Sequence, residues 1–156
     1  MYRNSKDVSI LLVEDDDIDV RVIERSFRKC GIASPIVRAK DGLEALEILR
    51  GRHSPEWPFI VLLDINMPRM NGLEFLGEIR RDASLAGITV FVLTTSEAER
   101  DKFAAYSQHI AGYLLKSDGA DQFLDVINLI GQYLETVRFT DQPLERQALL
   151  DAAGRR

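Results

Sequence analysis

Ile60-Val61-Leu62-Leu63-Asp64-Ile65-Asn66-Met67-Pro68-Arg69-Met70-Asn71-Gly72 begins with four apolar residues that run straight into a carboxylate. A continuous apolar run this short reads as a strand buried on both faces, which is how parallel sheets look. Asp64 then stands at the strand's C-terminal end, the edge where ligands and chemistry collect in open α/β sheets. Pro68 and Asn71-Gly72 turn the chain immediately afterwards. An acid there can also simply end the strand or cap the next helix. Its meaning therefore rests on what the other strand ends bring beside it.

Working outward, the same strand-then-helix pattern recurs. Val8–Val13 is an apolar strand that ends in Glu14-Asp15-Asp16-Asp17. Ile18, Val22, Ile23, Phe27 and Cys30 follow at helical spacing, and Gly31 stops that helix. Residues 35–39 form a short second strand, and Asp41-Gly42 opens a helix carrying Leu43, Leu46 and Leu49 up to Gly51. After a loop over 52–58 come the third strand, 59–63, and a helix marked by Leu73, Leu76 and Ile79. A fourth strand covers 89–93. The helix expected over 96–107 has a weak apolar stripe. The fifth strand, 112–115, ends in Lys116, and the last helix, 121–136, buries Phe123, Ile127, Ile130 and Leu134. Five such alternations imply a doubly wound parallel sheet covered on both faces. The expected order is 2-1-3-4-5, with the switch point between strands one and three.

That order places strand ends together. Glu14 and Asp15 come close to Asp64, and three carboxylates at one edge repel one another. A hard divalent cation with oxygen ligands relieves this, and Mg²⁺ suits partnership with a phosphate oxygen. Asp15 and Asp64 are expected to ligate it directly, Glu14 through water, and the Asn66 backbone carbonyl to add an oxygen. One of Asp15, Asp16 and Asp17 is also expected to cap the first helix. Strand four ends in the hydroxyls Thr94-Thr95-Ser96 and strand five in the cation Lys116. Singly, these are ordinary caps and solvated charges. Together they suit a phosphoryl group on Asp64, with Asp64 as nucleophile, Lys116 and the metal neutralising oxygens, and Thr94 donating a hydrogen bond.

Composition narrows the field. A formal net charge of −5 argues against nucleic acid as the main partner. One Cys and two His cannot build a Cys/His zinc site, and a lone Cys30 suggests a reducing compartment. The polar N-terminal residues and the lack of a membrane-length apolar run lead us to expect a cytoplasmic protein.

Val13-Glu14-Asp15-Asp16, Leu63 through Gly72, Leu93-Thr94-Thr95 and Gly112-Tyr113-Leu114-Leu115-Lys116 together resemble the receiver domain of two-component response regulators, over roughly residues 8–137. The resemblance implies a flavodoxin-like fold and phosphoryl transfer to Asp64 from a phosphohistidine on a sensor histidine kinase. It also implies Mg²⁺ held by Asp15 and the Asn66 carbonyl with Glu14 assisting. Thr94 becomes the switch hydroxyl, Tyr113 the aromatic that follows it, and Asn66 and Ser96 the positions that tune autodephosphorylation. Such a chain is a phosphoacceptor switch with Mg-dependent self-phosphorylation and autodephosphorylation, not an enzyme acting on a separate substrate. Pro35–Ala39, Asp41–Leu46 and Ala111-Gly112-Tyr113 further resemble single-domain response regulators paired with bacterial phytochrome kinases. Two positions depart from the family pattern: Ser117 stands where Pro usually follows the lysine, and Thr95 stands where a small residue is common.

We divide the chain into a receiver, 1–137, and a C-terminal extension, 138–156. With no output domain expected, signalling passes through protein contacts. Val126, Leu129, Tyr133 and Val137 lie about 100° from the last helix's core stripe. With Phe139 and an arm starting at Asp141-Gln142-Pro143, they suggest a homodimer interface. Packing of both stripes in the chain's own core is the plainer alternative. An inactive receiver-like binding module is a second function. An enzyme of similar sheet topology is a third, disfavoured because four acids after strand one would repel a bound phosphate.

Overall fold

The computed structural model describes residues 7–51, 53–116, 119–140 and 154. Strands and helices alternate throughout: β1 (Ser9–Val13), α1 (Asp17–Lys29), β2 (Ile36–Ala39), α2 (Gly42–Arg50), β3 (Phe59–Leu63), α3 (Gly72–Arg81), β4 (Val90–Thr94), α4 (Glu99–Ser107), β5 (Gly112–Leu115) and α5 (Ala120–Thr136). The strands form one sheet in the order β2-β1-β3-β4-β5, and every neighbouring pair is parallel. This is the doubly wound arrangement expected from the sequence. Every residue of β1, β3 and β4 is buried, which is why those strands read as unbroken apolar runs.

Alternation along the strands feeds two core layers. Leu11, Val13, Val61, Leu63 and Val92 pack with Leu46 of α2, Phe75 and Ile79 of α3 and Ala105 of α4. Ile10, Leu12, Ile60, Leu62 and Leu93 pack on the other face with Ile23 and Phe27 of α1 and Ile127, Ile130 and Leu134 of α5.

The α1 stripe differs from the expected one. Its core residues are Val20, Ile23 and Phe27, while Ile18 and Val22 are 69% and 44% exposed. Asp16 accepts hydrogen bonds from the Ile18 and Asp19 amides and so caps the helix, while Val20, Ile23 and Phe27, at i, i+3 and i+7, form the inward stripe. The helix ends as expected. Gly31 has φ 72°, its amide bonds the Arg28 carbonyl, and the Ile32 amide bonds that of Phe27. Leu43 of α2 is also 38% exposed, and Ala45 joins Leu46 and Leu49 in the core instead. The weak stripe of α4 corresponds to a helix with one buried residue, Ala105. Arg80 stitches the turn after α3 to the end of α4. Its guanidinium donates to the carbonyls of Ala86, Ile88, Gln108 and His109.

At the edge opposite the strand C-termini, aromatic rings connect the two layers. Phe91 meets Tyr133 edge-on at 4.8 Å, Tyr133 meets Phe139 at 6.3 Å, Phe139 meets Trp57 at 6.5 Å, and Trp57 meets Phe59 at 5.9 Å. The Trp57 indole N–H donates to the Thr140 carbonyl at 2.7 Å. The chain just beyond α5 is thereby fastened beneath the sheet. Edge-on aromatic pairs contribute about 0.5–1.5 kcal/mol each beyond area burial. Phe139→Ala removes two of them and is expected to lower Tm by roughly 3–6 °C. It should also red-shift emission from Trp57, the chain's one tryptophan. Unchanged Tm and emission would show that the fastening carries no stability.

Candidate functional site

The parallel register of β1 and β3 builds the site. Val13 lies opposite Leu63, and the Asp64 amide donates to the Val13 carbonyl at 3.0 Å. The residues that follow each strand therefore emerge side by side. One carboxylate oxygen each from Glu14, Asp15 and Asp64 fall within 4.8 Å of one another. Glu14 and Asp64 are buried and Asp15 is exposed. Within hydrogen-bonding reach, Glu14 accepts from the Asp16 amide at 3.1 Å, and Asp64 accepts from the Ile65 amide at 2.8 Å.

Lys116 arrives from β5 with its amide bonded to the Thr94 carbonyl at 2.8 Å. Its Nζ lies 2.5 Å from Glu14 Oε2, 3.0 Å from Asp19 Oδ2 and 3.5 Å from Asp64 Oδ2. Burial alone would lower the lysine pKa. The bonds and charges of Glu14, Asp64 and Asp19 outweigh it and hold the ammonium above its ordinary range. Burial pushes Glu14 up to about 7, with the Asp64 charge adding to it and Lys116 opposing it.

Thr94 is fully buried at the end of β4, and its hydroxyl oxygen accepts from the Ser96 amide at 3.3 Å. The Tyr113 hydroxyl donates to the Ser96 carbonyl at 2.8 Å, so the tyrosine is tied to the loop that follows Thr94. The Ser96 hydroxyl donates to Asp101 at 2.6 Å. Thr95 and Asn66 are exposed. Ser117, which stands where the family usually has proline, lies outside the described residues.

The loop after Asp64 is fixed from beneath. Gly72 approaches so closely that a Cβ there would sit 2.3 Å from the Asp64 carbonyl oxygen, and only glycine fits. Arg69, with φ 63°, pairs with the buried Asp41 at 2.6 Å, while Asp41 also caps α2 through the Glu44 amide. Burial alone would raise the Asp41 pKa, but the Arg69 bond and charge, together with the bonds from the Glu44 and Leu43 amides, outweigh it and hold the carboxyl below its ordinary range. The Gly42 amide completes the join by donating to the Met70 carbonyl at 3.0 Å.

Two residues that touch the site escaped the sequence reading. Asp19 is a partner of Lys116, and Arg38 of β2 reaches the backbone and acids of the loop after β1. Both act between strands and helices far apart in the chain. The one available signal was an arginine interrupting the apolar run of a short strand beside β1. Of the apolar residues expected outside the core, Leu129 and Val137 are 50% and 37% exposed. Val126, Tyr133 and Phe139 are partly buried against the chain's own core. The arm over 141–153 lies outside the described residues.

The three carboxylates form an all-oxygen donor set of the kind that suits a hard divalent cation. No helix among the described residues is long and apolar enough to cross a membrane.

Comparison with known proteins agrees with this geometry. Residues 10–128 match the response regulator receiver domain family, well over half of the chain. The chain belongs to that family, the phosphorelay receivers of two-component signalling. It is 38% identical over 133 residues to the response regulator Rcp1 of Synechocystis sp., covering 82% of this chain and 90% of that protein. Among solved structures, the phosphorylated cyanobacterial phytochrome response regulator RcpA is 33% identical with a TM-score of 0.75, covering 86% of this chain and 98% of RcpA. The Mn²⁺-bound form of Rcp1 is 36% identical with a TM-score of 0.74, covering 85% of this chain and 98% of that one.

The raised Glu14 pKa has two consequences. Metal-free protein gains stability from protonated Glu14 at low pH and loses it as pH rises through about 7. Cation binding needs the ionised form, so affinity runs the other way. Between pH 6 and pH 8 we expect Mg²⁺ affinity by calorimetry to rise about tenfold, and metal-free Tm to fall. Both dependences should vanish in Glu14→Gln; their persistence there would assign them to another group.

Proposed function

We propose that this chain is a phosphoacceptor switch that takes a phosphoryl group on Asp64 from a phosphohistidine of a sensor histidine kinase, with Mg²⁺ bound. The observation that carries the reading is the meeting of Glu14, Asp15 and Asp64 with Lys116 at one sheet edge. An Asp64 carboxylate oxygen attacks phosphorus, the P–N bond to the imidazole breaks, and the imidazole departs with that electron pair and takes up a proton. The product is an acyl phosphate on Asp64. Glu14, Asp15, Asp64 and the Asn66 carbonyl would hold Mg²⁺, which offsets charge on the transferring oxygens when bound.

Lys116 supplies a second positive group beside Asp64. Thr94 turns its hydroxyl toward the new phosphoryl oxygens and so gives up its present bond from the Ser96 amide. Tyr113, tied to the Ser96 carbonyl, carries that change toward the surface. Asn66 and Ser96 flank the site and tune how long the acyl phosphate lasts. The likeness to RcpA and Rcp1 supports a kinase of the bacterial phytochrome type as the donor.

Incubation with acetyl phosphate and MgCl₂, followed by intact mass measurement, should give one phosphate adduct. Asp64→Asn and EDTA should each abolish it, and Lys116→Ala should slow it about 10²–10³-fold. An adduct that persists in Asp64→Asn would overturn the assignment.

We further propose that the chain signals as a homodimer through the exposed side of α5. Leu129 is the central contact, and Val126, Tyr133, Val137 and Phe139 border it. The exposure of Leu129 supports this reading. Cutting the chain after Val137 would also strip Phe139 and Thr140 from Trp57, so a point variant is the cleaner probe. Light scattering should show a dimer for the wild type and a monomer for Leu129→Lys. Equal masses for the two would sink the interface.

A further inference from the structure

Arg38 sits on the edge strand β2 opposite Leu12 of β1, yet its guanidinium reaches beyond that register onto the loop that follows β1. Nε and Nη2 donate to the Glu14 carbonyl at 3.2 and 3.1 Å. Nη2 also donates to the Asp15 carbonyl at 3.2 Å, and Nη1 pairs with Asp17 at 2.5 Å. The two carbonyls belong to the residues whose side chains form two thirds of the acid cluster. Holding both oxygens fixes the backbone rotation on either side of them, and with it the direction in which the Glu14 and Asp15 carboxylates leave the chain. From the other direction, the Glu14 amide is held by the Ala39 carbonyl at 3.0 Å. β2 thus grips this stretch at the N–H before the acids and at the C=O after each of them.

We propose that Arg38 is a positioning residue for the cation site. It acts through the peptide units of Glu14 and Asp15 and touches neither the cation nor the phosphoryl group. The proposal rests on the metal reading above. A positioning role can be told from an electrostatic one because the two have opposite signs. A guanidinium charge beside a divalent cation repels it, so deleting the charge alone would tighten metal binding. Releasing the carbonyls lets the two acids wander and loosens it. Lysine keeps the charge but offers one compact ammonium, which cannot span Glu14, Asp15 and Asp17 as a planar fork does.

The experiment is calorimetric titration of the full chain with MgCl₂ at pH 8, with Tm in EDTA measured alongside. Arg38→Ala is expected to weaken Mg²⁺ binding about tenfold, the lower end of what a lost supporting contact costs a metal site. Arg38→Lys is expected to stay well below wild type. Asp17→Asn keeps the carbonyl bonds and is expected to bind nearly as the wild type does. Phosphorylation by acetyl phosphate supplies a second readout. Arg38→Ala should need more Mg²⁺ for half-maximal rate, yet reach a nearly wild-type rate at saturation. Unchanged or tighter binding in Arg38→Ala overturns the proposal, and so does full recovery in Arg38→Lys. Should Arg38→Ala fail to melt cooperatively, Arg38→Lys decides alone by the same criterion. A wild type that binds no Mg²⁺ overturns the metal reading and this proposal together.

Discussion

The structure turns on one enforced crowding. Parallel pairing of β1 with β3 sets Val13 beside Leu63, and the chain has no freedom to keep Glu14 and Asp15 away from Asp64. Two like charges 4 Å apart repel by about 4 kcal/mol at the effective dielectric of a protein surface. Two of the three acids here are buried, where water relieves them least. Two features answer that charge. Lys116 lies against Glu14 and Asp64 and is held protonated by them. Glu14 has a pKa near neutrality and can take a proton itself. A divalent cation would be the third answer, because carboxylates ligate it in their ionised form.

The remainder of the fold divides into parts that hold the crowding in place and parts free to respond to it. Gly72 packed against the Asp64 carbonyl, Arg69 on Asp41, and Arg38 on the Glu14 and Asp15 carbonyls all constrain backbone, leaving the carboxylates no easy retreat. On the β4–β5 side the contacts are single hydrogen bonds. Thr94 accepts one from the Ser96 amide, and Tyr113 donates one to the Ser96 carbonyl. The proposed phosphoryl group on Asp64 would draw the Thr94 side chain toward it and away from the Ser96 amide, and the loop that Tyr113 holds would move with it. A rigid acid edge beside a loosely latched hydroxyl edge is what a switch driven by one added phosphoryl group requires.

How much of this the sequence disclosed follows from the range of each interaction. β1, β3 and β4 are buried on both faces, so their apolar runs are unbroken and their ends easy to place. Glu14, Asp15 and Asp64 follow directly from those ends, and Lys116 from the end of the short apolar strand β5. Arg38 and Asp19 stayed hidden because nothing local marks them. Asp19 meets Lys116 across 97 residues of chain, and Arg38 matters only once β2 is known to flank β1. Ile18 and Val22 stand four residues apart at helical spacing, yet Val20, Ile23 and Phe27, at i, i+3 and i+7, form the stripe that turns inward. Tyr133 and Phe139 looked like spare apolar surface. Trp57, from a loop between α2 and β3, supplies an intramolecular partner that no periodicity within α5 could announce.

The acid edge itself can be observed without any phosphoryl chemistry. Adding substoichiometric Mn²⁺ to isotope-labelled full-length protein broadens amide resonances close to the bound ion. The strongest broadening is expected at residues 14–16 and 64–66, with Asp15→Asn abolishing it and Mg²⁺ reversing it by competition. Broadening centred elsewhere in the chain, or none at all, would contradict the claim that a cation joins the ends of β1 and β3.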